Sequence, residues 1–70
     1  MAMTTDRLVY RHRRRDERVY RTPGLRFYVL KWDEAGNPIQ SPLMTWWDFE
    51  RSGIERDRDW EQVDVDWRLL

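Results

Sequence analysis

A chain of seventy residues is expected to form a single domain spanning 1–70, and a domain this small buries only about 60% of its unfolded surface, which leaves stability little margin. It has no cysteine and a single histidine, which excludes a disulfide framework and argues against a zinc site. Charge cancels over the whole chain but not locally: residues 1–31 carry nine bases against three acids, and residues 32–70 carry ten acids against four bases. Such a split suggests charged partners, or equally a basic strand lying beside an acidic one.

The start of the chain, Met1 to Asp6, has no apolar stretch of signal-peptide length. The longest wholly apolar run is Phe27 to Leu30, far short of a membrane span. A cytoplasmic protein without membrane contact is expected. With no cysteine to staple it, the core must come from aromatic mass: five Trp, three Tyr and two Phe.

The first predicted element runs from Arg7 to Arg13. Leu8, Tyr10 and His12 alternate with Arg7, Val9, Arg11 and Arg13, which reads as a half-buried strand with a basic face. Arg14 to Glu17 makes a polar loop, and Arg18 to Thr22 a second strand. In Thr22-Pro23-Gly24-Leu25, Pro fixes φ at the first central position and Gly offers the positive φ of a type II turn at the next. Leu25 to Trp32 is apolar on both faces, as expected of a central strand covered at least in part on both sides.

Residues 33–37 form a hairpin loop, and Pro38 to Gln40 returns as an edge strand, where a missing N–H is tolerated. Ser41-Pro42 reads as a helix start, with Thr45 a second cap one turn later and Asp48 in the acidic third position after it. Gly53 is placed to end the helix, which is predicted at about 9 to 12 residues, too short to stand alone in water. Ile54 to Asp59 reads as a charged connector. In the last strand Val63, Val65, Trp67 and Leu69 face one way and Gln62, Asp64, Asp66 and Arg68 the other. The fold class is therefore α+β: a small antiparallel sheet of four to five strands with one short helix packed on a face. The first and last strands should be neighbours, with Arg11 and Arg13 near Asp64 or Asp66.

Three constellations could carry function. Arg11, Arg13, Arg14, Arg15, Arg18 and Arg21 could hold phosphates, with Tyr10, Tyr20 or His12 stacking on bases; the plainer alternative is a solvated hairpin neutralised by acidic neighbours. Asp57, Asp59, Glu61, Asp64 and Asp66 could imitate phosphates toward a basic partner, or pair with arginines at home. They lack the glycine-pivoted loop of a calcium site, so no metal is expected. Trp46 and Trp47 point about 100° apart on a helix and cannot share one core centre, so one is a candidate anchor ringed by Asp48, Glu50 and Arg51, unless both flank a broad apolar face.

Nothing in the sequence outlines catalytic machinery or a cofactor site. The expectation is a small non-enzymatic module that binds a larger protein or complex, as monomer or homodimer, through Trp46, Trp47, Asp48, Glu50, Asp57, Asp59, Asp64 and Asp66. A stoichiometric inhibitor or adaptor fits, for example a phage protein that blocks a bacterial nucleic-acid-handling complex such as a defence nuclease. The alternative is direct nucleic-acid binding through the arginine hairpin.

Overall fold

The computed structural model describes residues 6–64. Five strands, β1 (Arg7–His12), β2 (Glu17–Arg21), β3 (Phe27–Trp32), β4 (Pro38–Gln40) and β5 (Trp60–Gln62), form one antiparallel sheet of order β4-β3-β2-β1-β5. One helix, α1 (Trp46–Ser52), and a single 3₁₀ turn, Ile54–Arg56, cross from the β4 edge to the β5 edge. The fold is therefore α+β, with β1 and β5 as neighbours. The last strand comes earlier than its alternation suggests: β5 ends at Gln62, and Val63 and Asp64 follow it outside any strand, while the alternation of Val65, Trp67 and Leu69 with Asp66 and Arg68 lies outside the described residues.

Strand β1 departs from strict alternation. Leu8 pairs with Tyr20 and Tyr10 with Val19, so Val9 is an extra residue in a bulge. The bulge turns both Val9 and Tyr10 into the core, although alternation grouped Val9 with the arginines. Beyond it the helix-bearing face collects Tyr10, His12, Val19 and Phe27, all buried. The opposite face carries Leu8, Arg18, Tyr20, Tyr28, Leu30 and Trp32, with no described element packed over it. Here the side chains cover one another: Tyr20 and Tyr28 stack at 5.5 Å, and the Arg18 guanidinium lies 4.9 Å from the Trp32 ring centre.

The helix begins later than the Ser41-Pro42 signal suggests. Ser41 Oγ accepts a hydrogen bond from the Val29 N–H at 2.8 Å, and Met44 bridges to Phe27 through two backbone bonds. These contacts hold residues 41–44 along β3, so the cap falls to Thr45, whose Oγ1 accepts from the Asp48 N–H. Gly53, at φ 80°, closes the helix in the left-handed region after seven residues. A helix this short depends on docking, and Phe49 supplies it: fully buried, stacked on Phe27 at 4.2 Å and tilted against Tyr10 at 5.8 Å. Burying one such ring contributes roughly 1.5–3 kcal/mol. The connector after it is not merely polar, because Ile54 joins the same cluster.

The turn before β3 also differs from its expected form. Gly24 does not take positive φ; Leu25 does, at 57°, and Thr22 closes the loop by donating to Arg26 O at 2.8 Å.

Candidate protein-interaction surface

The two adjacent tryptophans separate at the surface of α1. Trp46 turns toward the sheet, its ring 6.0 Å from Phe27 and 6.4 Å from Phe49. Trp47 is 70% exposed. It forms a wall of an open depression of about 560 Å³, completed by Thr45, Glu50, Arg51 and Arg56. Leu43, just ahead of the cap, is also exposed.

Charge around the depression is partly committed. Arg51 donates to Asp48 at 2.9 Å, and this bond, with those from Thr45, holds the Asp48 carboxyl below the usual carboxylate range. Glu50 and Arg56 are exposed and make no side-chain hydrogen bond or ion pair among the described residues. The site thus offers one apolar plane, one open acid and one open base, the composition of an anchor with a polar rim. Arg51 is expected from the sequence beside the tryptophans with Asp48 and Glu50; Arg56 escapes sequence reasoning because the charged run after the helix carries no spacing signal, and the apolar Ile54 within that run is the available clue.

The remaining acids do not gather at Trp47. Glu61 receives Arg11 at 3.0 Å and Arg13 at 3.3 Å, Asp59 faces Arg14 at 3.4 Å, and Asp64 pairs with Arg7. Asp57 accepts the Asp59 N–H at 2.9 Å. The arginines therefore meet Glu61 rather than Asp64, because the register sets Arg11 opposite Glu61. Asp66 lies outside the described residues.

The arginine hairpin is similarly engaged. Arg13 also donates to Arg58 O at 2.9 Å, Arg15 pairs with Glu17 at 3.5 Å, and Arg18 with Asp16 at 3.6 Å. Each exposed pair is worth only about 0–1 kcal/mol, yet together they neutralise the patch. Arg21, only 5% exposed, sits on the helix-bearing face and is withdrawn from any surface role. Of the expected stacking residues, Tyr10 and His12 are buried and Tyr20 is covered by Tyr28. His12 is structural: its Nδ1 accepts the Arg14 and Arg15 N–H groups, each at 3.0 Å, and its ring meets Trp60 edge-on at 4.9 Å.

Among the described residues there is no cluster of three metal-ligating side chains, and no helix long and apolar enough to cross a membrane. No protein-family model, curated protein or solved structure matches this chain.

Proposed function

We propose that this chain is a small non-enzymatic interaction module, a stoichiometric inhibitor or adaptor that occupies a surface on a larger protein through the Trp47 depression. The observation that carries this reading is the exposure of Trp47 beside a partly buried Trp46: a large aromatic ring standing in an open depression with a charged rim has the composition of a binding anchor. Asp48, Glu50, Arg51 and Arg56 form the rim that orients the partner. The same reading disfavours direct nucleic-acid recognition, because the hairpin arginines already have carboxylates within 3.6 Å.

The test is quantitative capture from a host lysate with wild type, Trp47→Ala and an Arg11→Ala/Arg13→Ala double variant, followed by titration of the captured protein. Trp47→Ala should weaken that titration by roughly 2 kcal/mol, about thirtyfold, with an unchanged circular dichroism spectrum. Retention of the partner by Trp47→Ala and its loss by the arginine variant would move the interface to the hairpin.

A further inference from the structure

The two edges of the sheet are not equivalent. At β4, Asp33 N–H donates to Asn37 O and Ser41 N–H to Val29 O, each at 2.9 Å. Residues 37, 39 and 41 therefore bond inward to β3, and the positions aimed outward are Pro38, Gln40 and Pro42. Two of the three have no N–H to give, which blunts this edge against a further strand.

At β5, Arg13 N–H donates to Asp59 O at 2.7 Å and Val63 N–H to Val9 O at 2.8 Å. Residues 59, 61 and 63 bond inward, and Trp60 and Gln62 direct their main-chain groups away from the sheet. The Trp60 N–H is taken by Asp57 O at 3.1 Å. The Trp60 C=O and both main-chain groups of Gln62 face outward, and among the described residues no strand lies beyond them.

We propose that a second copy of this chain pairs antiparallel through β5, with Gln62 opposite Gln62 on the two-fold axis, joining two five-stranded sheets into one. In that register the two Gln62 residues exchange a pair of main-chain hydrogen bonds. Glu61 falls opposite Val63, and Trp60 opposite Asp64, so no carboxylate meets a carboxylate although the strand is acidic. Val63, an exposed apolar residue, gains cover. The copy presents β5 rather than β4 because the proline-blocked edge offers only the Gln40 N–H. A symmetric contact closes at two subunits, whereas β5 on β4 would propagate as a filament. This pairing does not depend on the Trp47 reading.

The test is sedimentation equilibrium of the full chain between about 10 µM and 1 mM, the range in which a small, transient interface populates. Wild type should show a monomer–dimer equilibrium. Gln62→Pro removes an outward N–H, together with the exposed side-chain bond to Asp64 O at 3.4 Å, and should leave a monomer with an unchanged circular dichroism spectrum. Gln62→Lys sets two ammonium groups face to face and should weaken the dimer about fivefold or more, which keeps the test decisive if the proline variant does not fold. Gln40→Pro and Trp47→Ala should change nothing. A wild type that stays monomeric to 1 mM, a dimer indifferent to both Gln62 variants, or one dissolved by Trp47→Ala would each overturn the assignment.

Discussion

Arg11 and Glu61, fifty positions apart in the chain, face each other at 3.0 Å across the boundary between β1 and β5. Glu61 also receives Arg13. One carboxylate is thus shared by two guanidinium groups, and with Asp59 on Arg14 and Asp64 on Arg7 the acidic second half of the chain offsets much of the basic first half within the fold itself.

Glu61→Gln should release that balance at little cost. Both pairs are solvent-exposed, so stability should fall by less than about 1 kcal/mol. Binding to single-stranded DNA should rise several-fold at about 50 mM salt and return to the wild-type level by about 200 mM, as counterion release dictates. Fluorescence anisotropy measures this. An unchanged affinity at low salt would mean that Asp59 takes over both arginines.

The turn before β3 predicts opposite signs for two glycine substitutions. At Gly24, φ is not positive and an added Cβ meets nothing within 4 Å, so Gly24→Ala should stabilise by about 0.4–1 kcal/mol through the unfolded chain. Gly53, at φ 80°, also has space for a Cβ but not the backbone for one, so Gly53→Ala should destabilise by about 1 kcal/mol or more. Urea denaturation separates the two. Destabilisation by Gly24→Ala would restore the type II turn.

Stability should fall at both ends of the pH scale, for different reasons. Burial, followed by the hydrogen bond to Asp6, raises the Tyr28 hydroxyl above its ordinary 10.0. The folded chain keeps this proton after the unfolded chain has lost it, so the stabilisation is complete below about pH 10 and is lost as pH rises further. Asp48, held low first by Arg51, and Asp33, held low first by the Asn37 N–H, act in the other direction. Their contribution is complete above about pH 4 and lost as pH falls below it. Thermal melts from pH 2 to 11 should show both limbs. Tyr28→Phe should flatten the alkaline limb and Asp48→Asn part of the acid one; an alkaline limb unchanged by Tyr28→Phe would assign it elsewhere.

The parts of this fold legible in the sequence are those fixed by neighbouring residues. Thr45, Asp48 and Gly53 mark the helix ends because capping is a contact between groups three or four positions apart. The divergence of Trp46 and Trp47 follows from helix geometry; complementary charge places a strand beside β1, but β5 is residues 60–62 rather than 62–69, and Glu61 rather than Asp64 meets Arg11 and Arg13. What failed depends on distant groups. Ser41 looks like a cap until β3 claims its hydroxyl, and Val9 looks solvent-facing until the bulge turns it inward. Arg21 reads as surface charge because nothing local records its place beneath the helix-bearing face. The Trp47 depression was half legible: its ring was, but Arg56 joins it only through the 3₁₀ turn.

The strand order also bears on how the chain emerges during synthesis. Strands β1 to β4 follow one another and pair as they appear, but β5 reaches β1 only after residues 41–59 have crossed the sheet. Closing that long connection is a late and entropically costly step. Until it closes, residues 1–31, with nine bases and three acids, have been made without the carboxylates that answer them. The positive charge of that first stretch is diluted as the later acids are made, but Arg11 and Arg13 meet their carboxylate only when β5 is in place.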